Sequence, residues 1–392
     1  MISERRTATP DDVYAPRYVV WELTLACDLA CRHCGSRAGK AREAELSLGE
    51  ALRLVDQLAA LGTREVAFIG GEAYLNPDWL AIVRAVADAG IRPVMTTGAR
   101  RLDAETCRAA AKAGLQQVSV SVDGLEATHD RLRAVPGSYR AALAALGHAR
   151  DAGIIPTANT QWNRLNLPEV EPLADVLLDC GIAAWQVQIT GPMGRAADLA
   201  DKLLQPYDLL DLVPRLAAVA VRAKARGCSV VAGNNLGYFG PHESALRAGS
   251  HWQGCAAGRH VLGIESNGDV KGCPSLPSGP YVGGNVRERP LAEIWETSAP
   301  LRFARDREGP DGRLNDGELW GHCKTCYYAE TCRGGCSWTS HTLLGRRGNM
   351  PYCFHRAETL AAKGVRERLV KAEDAPGRPF DFGRFDLFEE PL

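Results

Sequence analysis

"YVVWELTLACDLACRHCG", residues 18–35, joins an apolar run to a loop with three cysteines, Cys27, Cys31 and Cys34, spaced C-x3-C-x2-C. The run reads as a strand, so the cysteines begin where a strand ends. The alternation continues to about Arg226. The further apolar runs are "EVAFIG", "RPVMTT", "QQVSVSV", "IIPTANT" and "AAWQVQI". Between them lie stretches such as "LGEALRLVDQLAAL" and "PDWLAIVRAVADAG", with apolar residues at helical spacing and mostly a closing Gly. Strands alternating with helices specify a parallel sheet, and six such units are too few for a closed eight-fold barrel. The expected fold class is α/β, a partial (β/α)6 TIM-type barrel, with an open doubly wound sheet as the alternative. Ligands belong at the C-terminal strand ends in either case.

The chain has 392 residues, 45% hydrophobic, with a formal charge of −1. That balance offers no electrostatic case for nucleic acid or an acidic membrane surface. The start, "MISERRTATPDDVYAPRY", has no apolar signal region, and no segment is apolar for long enough to span a bilayer, so a cytoplasmic location is expected. Thirteen cysteines in such a chain argue against a disulfide framework and for metal binding. They are grouped: by multiplied frequencies, C-x3-C-x2-C arises by chance in roughly one such chain in seventy. The second group, "CKTCYYAETCRGGC", has a spacing expected in roughly one chain in two thousand.

Thiolates suit an iron–sulfur cluster, and three of them leave one iron of a [4Fe–4S] cube open. A closed zinc site needs a fourth ligand, and His33, lodged between Cys31 and Cys34, would reach the same ion only with strain. Taken singly, Gly70-Gly71-Glu72 and Asp123-Gly124 read as turns, and Arg133 as a surface charge. Their order behind successive strands raises them.

Together these residues resemble the radical S-adenosylmethionine (SAM) enzymes, in which C-x3-C-x2-C follows the first barrel strand. The resemblance implies that Cys27, Cys31 and Cys34 ligate a [4Fe–4S] cluster whose open iron is chelated by SAM. One electron then cleaves SAM to a 5′-deoxyadenosyl radical, which abstracts hydrogen from the substrate. "FIGGEAYL" is similar to the family's GGE motif, placing Gly70, Gly71 and Glu72 at the SAM amino group, although Ala73 stands where the family usually has Pro. Ser121 and Asp123 fall toward the ribose and methionine portions, and Arg133 toward the SAM carboxylate. His33 takes the position beside the adenine, and Thr96 and Thr97 close the third strand.

The second half resembles the SPASM extension of radical SAM enzymes. It carries Cys255 and Cys273 around Gly268, then Cys323, Cys326, Cys332, Cys336 and Cys353. By position, the resemblance implies two auxiliary iron–sulfur clusters: one on Cys323, Cys326, Cys332 and Cys353, the other on Cys255, Cys273 and Cys336. The fourth ligand of the latter is open among substrate, His251 and Cys228. Read from residue habit, Cys228, Cys107 and Cys180 are packing residues. A zinc ribbon is the rival reading of the C-terminal group alone.

The expected organisation is an N-terminal extension (1–17), a barrel (18–228), a small loop-rich SPASM domain with two auxiliary clusters (229–370) and an acidic, aromatic tail (371–392). Asn267-Gly268 should turn a hairpin, and a last helix should run from about His355 to Val370. The resemblance implies an oxidoreductase acting on a ribosomal peptide or protein. It also implies an electron donor such as flavodoxin or ferredoxin and a separate recognition protein or direct docking. The alternatives are a small molecule or tetrapyrrole side chain as substrate, or a non-catalytic iron–sulfur protein.

Overall fold

The computed structural model describes residues 14–307, 314 and 316–392, apart from 234 and 239. Most of the expected N-terminal extension lies outside the described residues. Six strands form where the apolar runs lie: β1 (Tyr18–Glu22), β2 (Glu65–Ile69), β3 (Arg92–Thr97), β4 (Gln117–Ser121), β5 (Ile155–Trp162) and β6 (Ala184–Ile189). They pair in chain order, all parallel. The returning helices are α1 (Leu48–Ala60), α2 (Trp79–Asp88), α3 (Ala104–Ala113), α4 (Glu126–Arg133), α5 (Ser138–Asp151) and α6 (Val170–Asp179). Local chemistry sets their ends: Ser47 and Glu50 form a capping box at α1, and Gly114 closes α3 at φ 103°.

Alternation along the strands sorts residues by size. Trp21, Phe68, Trp162 and Trp185 are buried in the main core, where the last two meet edge to face at 6.0 Å. Val20, Ala67 and Val94 form a separate small cluster with Tyr18 and Ile69 on the alternate strand positions.

The parallel run is longer than the six expected units. β7 (Ser229–Ala232) pairs parallel with β6, and β8 (Val261–Ile264) pairs parallel with the free side of β1. The Asn267-Gly268 hairpin forms between β8 and β9 (Asp269–Lys271), and β10 (Val282–Asn285) follows. One ten-stranded sheet, in the order β10-β9-β8-β1-β2-β3-β4-β5-β6-β7, therefore crosses the boundary expected at 228. A buried ionic seam lies beside the β1–β8 junction. Arg42 donates to Glu22 (3.1 Å) and Glu265 (3.0 Å), and Lys271 lies 2.7 Å from Glu265.

The C-terminus departs from expectation. The helix covers only Phe354–Ala361, and the chain then forms an antiparallel pair, β11 (Val365–Glu373) with β12 (Arg384–Pro391). The expected helix to Val370 is thus corrected to a strand, and the tail is ordered. Glu367 hid the strand: it points inward against buried Arg356, so the apolar alternation is broken at that position. Between the two strands, Phe380 packs with Leu25, Ala38 and Met193, and Asp381 accepts from Arg37 Nε at 2.7 Å. No helix among the described residues is long and apolar enough to cross a membrane.

Asp381 also accepts the backbone N–H groups of Gly377 and Arg378. We expect Asp381→Ala to lower stability by about 1–3 kcal/mol. Amide exchange should quicken first in residues 365–391, because Arg37 retains Asp198 while the hairpin loses its anchor.

Candidate functional site

The cysteine loop extends the β1–β2 ladder beyond the strands. Leu23 N donates to Ile69 O, Gly71 N to Thr24 O and Glu72 N to Ala26 O, all at 2.8–2.9 Å. No side chain fits there: a Cβ on Gly70 would lie 2.2 Å from Thr24 O, and one on Gly71 2.1 Å from Ala26 O. The expected close backbone approach is therefore to the cysteine loop itself. Arg195, which sequence reasoning missed, clamps the other side, donating from Nε to Cys31 O (2.6 Å), from Nη1 to Ala38 O (3.1 Å) and from its backbone N–H to Cys34 O (2.9 Å). No local pattern marks such a residue, since it lies 164 positions from Cys31.

Cys27, Cys31 and Cys34 are brought together. Burial pushes the Cys27 thiol up to about 12, with further contributions from Glu72, Cys31 and Cys34. Burial also raises Cys31, opposed by Arg133, whose Nη1 lies 3.6 Å from the sulfur. Glu72 is buried beside them, its carboxylate and that of Asp28 lying within 4.8 Å of the Cys27 sulfur. It accepts from the Thr97 hydroxyl and from Gly98 N (2.7 Å). Burial still lifts its pKa to about 7. Gly98 was missed as well: a Cβ there would meet Leu29 at 2.2 Å and Glu72 Oε1 at 2.8 Å.

Ser121, Asp123, His33 and Arg133 converge at the end of β4, and Asp123 is their hub. It accepts from Arg133 Nη2, lies 2.9 Å from His33 Nε2 and accepts from Gln161 N at 2.9 Å. Its own N–H donates to His129 Nδ1 at 3.1 Å. Burial opposes ionisation of Asp123, yet Arg133 and then His33 hold the carboxyl well below its usual range. Asp123 is thus taken up by the protein rather than facing a ligand, while His33 Nδ1 and Arg133 Nε are buried without a partner among the described residues. Two such donors or acceptors at a strand end suit a polar ligand such as SAM.

The C-terminal cysteines form two sets. Cys323, Cys326, Cys332 and Cys353 line one pocket, and burial, then the other three thiols, push Cys332 well above its usual value. Cys336 is pushed up to about 12 by burial, then by Cys255 and Cys273. Cys228 belongs to neither: it is buried in the barrel core beside β7, and His251 is exposed. Cys107 is fully buried and Cys180 half-buried against the core. All thirteen cysteines are free thiols. Trp338 links the two halves. It packs against Leu25, Met193 and Phe380, a group that Cys27 and Cys34 join, and against Tyr281 and Phe303, a group that Cys255 and Cys273 join.

Residues 21–170 match the radical SAM superfamily, and residues 255–327 match SPASM, described as an iron–sulfur cluster-binding domain. The AdoMet-dependent heme synthase of Methanosarcina barkeri is 31% identical over 356 residues, 87% of this chain and 97% of that protein. The chain belongs to the radical SAM superfamily. The mycofactocin maturase MftC of Mycobacterium tuberculosis is 28% identical over 82% of this chain and 78% of its own. Streptococcus suis SuiB bound to S-adenosylmethionine shares the fold at a TM-score of 0.67 and 19% identity, covering 87% of this chain and 76% of that one. This radical SAM enzyme uses a [4Fe–4S] cluster with SAM, and its SPASM domain carries auxiliary iron–sulfur clusters. Ten of the thirteen free thiols, gathered as three, three and four, fit that complement.

We expect Asp123→Asn to cost about 3–5 kcal/mol in chemical denaturation, because it leaves buried Arg133 uncompensated. The folded pKa of Asp123 is depressed. Its contribution is therefore complete above the unfolded value near 4 and is lost as pH falls through the folded one, so the gap between wild type and variant should narrow in acid.

Proposed function

We propose that Cys27, Cys31 and Cys34 hold the SAM-binding cluster, with Glu72, Ser121, His33 and Arg133 around SAM and Asp123 as the residue that positions the last two. When bound, the cluster and SAM supply a 5′-deoxyadenosyl radical that removes a hydrogen atom from the substrate. Cys323, Cys326, Cys332 and Cys353 would hold the closed auxiliary cluster, and Cys255, Cys273 and Cys336 the three-thiolate one. The barrel and SPASM boundaries of 18–228 and 229–370 stand as part of this reading, with one sheet running through both.

The substrate we propose is a tetrapyrrole bearing carboxylate side chains. The observation that carries this is the likeness to the Methanosarcina barkeri heme synthase, which extends over 97% of that protein. The local chemistry agrees. Trp338 lies between the two halves and packs closely on Gly191, where a Cβ would lie 2.4 Å from the ring. Among the described residues beside Cys255, Arg307 and Arg347 share one carboxylate: Arg347 Nη2 donates to Glu318 at 2.5 Å, and Arg307 Nε lies 3.4 Å away. That surplus positive charge suits a carboxylate-bearing molecule. A ribosomal peptide is the second reading, favoured by the likeness to MftC.

The test is anaerobic reconstitution followed by addition of SAM, reductant and an iron porphyrin with carboxylate side chains. We expect 5′-deoxyadenosine to form in step with a change in the porphyrin's mass. Porphyrin-independent SAM cleavage that a precursor peptide accelerates would overturn the tetrapyrrole reading and favour the second.

The arginine surplus has a further consequence. Near the four-thiol set, among the described residues, Arg356 pairs with Glu367 and Arg247 with Glu243. Lower net negative charge raises a cluster's potential, so the Cys255 set should reduce first. In an EPR-monitored potentiometric titration, Arg307→Gln should shift that cluster to a lower potential and leave the other unmoved.

A further inference from the structure

Helix α4 grips the Asp123 turn at two points. His129 and Arg133 are four residues apart, so they stand on one face of the helix. His129 Nδ1 accepts the backbone N–H of Asp123 at 3.1 Å, and Arg133 Nη2 donates to the Asp123 carboxylate. From the other side, Asn166 Nδ2 donates to the Asp123 carbonyl at 3.0 Å and Gln161 N to the carboxylate at 2.9 Å. The far end of the helix is tied to the cysteine loop, where Ala30 N donates to Arg133 O and Arg32 N to Leu132 O. Its near end is set by Glu169, which accepts Leu125 N at 2.7 Å and the Thr128 hydroxyl at 2.6 Å. α4 is thus a bracket between the turn that carries Asp123 and the loop that carries the cysteines.

The His129 ring does more than fill space. It is 1% exposed and meets Tyr139 edge to face at 5.7 Å. Because Nδ1 accepts, the ring proton sits on Nε2, which is buried without a partner among the described residues. A buried N–H left unpaired destabilises the fold, and a leucine of similar bulk would avoid that cost. A leucine could not accept from Asp123. Burial, then neighbouring Arg133, lower the pKa of His129 to about 4, so the acceptor is present at neutral pH.

Resting on the placement of Arg133 and His33 around SAM given above, we propose that His129 is a positioning residue for SAM. By fixing the Asp123 backbone it fixes the carboxylate that aims Arg133 and His33 at the ligand. Without the acceptor, the Asp123 N–H is left unpaired in a buried place, and the turn gains from any shift that restores a partner. Such a shift draws the carboxylate away from the two side chains it holds. His129 acts through Asp123 alone, so its loss weakens SAM binding and leaves the iron in place.

The test compares His129→Leu, which removes the acceptor and keeps the bulk, with His129→Asn, which places an amide oxygen near the Nδ1 position but fills the space less well. Each full chain is reconstituted, reduced and titrated with SAM, and the dissociation constant is read from the change in the EPR signal of the SAM-binding cluster. The auxiliary-cluster signals and the thermal midpoint report folding. We expect the constant of His129→Leu to rise about tenfold and that of His129→Asn to stay within about threefold of wild type. If leucine prevents folding, His129→Met takes its place with the same expected order. A packing role alone gives the reverse order, with the apolar variant the tighter binder, and would overturn the proposal. So would an unchanged constant in His129→Leu. Arg133→Lys separates this from the reading beneath it: an unchanged constant there would overturn that reading, whereas a raised one beside an unchanged His129→Leu would overturn the role of His129 alone.

Discussion

The structure depends on a backbone contact, that of Gly70 and Gly71 against Thr24 and Ala26. A loop with three cysteines in nine residues has too little apolar surface to form a core of its own. It is held because the β1–β2 ladder continues into it through the N–H groups of Gly71 and Glu72. Any side chain at either glycine would push the loop off the ladder. The contact also carries Glu72 to the Cys27 sulfur, so the same geometry positions thiol and carboxylate. Arg195 and the Arg37–Asp381 pair then close the loop from the far side, which is how the C-terminal hairpin comes to bear on the site.

The second organising element is the buried charge around Asp123. An ionised carboxylate and a guanidinium, both almost wholly buried, cost several kcal/mol each unless they satisfy one another. Here one carboxylate takes Arg133, His33 and a backbone N–H together. Arg133 Nε, His33 Nδ1 and His129 Nε2 stay without a partner among the described residues. An unpaired polar atom in an otherwise paired network is costly in the free protein and is relieved when a polar ligand arrives.

Much of this was legible in the sequence, because the signals were local. Helical and strand periodicity located β1 to β6, and the resemblance to the SPASM extension, rather than spacing alone, moved Cys336 from its sequence neighbours to Cys255 and Cys273. What was hidden was long-range or masked by polarity. β7 is four residues long after the helix at Leu209–Ala225, too short for periodicity to distinguish it from a loop. The pairing of β8 with β1 joins residues more than two hundred positions apart, and no local pattern reports it. In β11, Val365 and Leu369 sit at helical spacing, while inward-facing Glu367 belongs to an ion pair formed elsewhere in the fold. Asp123 shows the same limit at the site: its position was legible, but its three partners come from β5, α4 and the cysteine loop.

The central claim is that the cluster on Cys27, Cys31 and Cys34 is the one that binds SAM. The most direct measurement is the EPR spectrum of the reduced, reconstituted protein with and without SAM, compared between wild type and a Cys27→Ala/Cys31→Ala/Cys34→Ala variant. The account predicts that SAM alters one cluster signal in the wild type. In the variant that signal should be absent, with iron falling from about twelve to about eight atoms per chain. A signal that SAM still perturbs in the variant would contradict it.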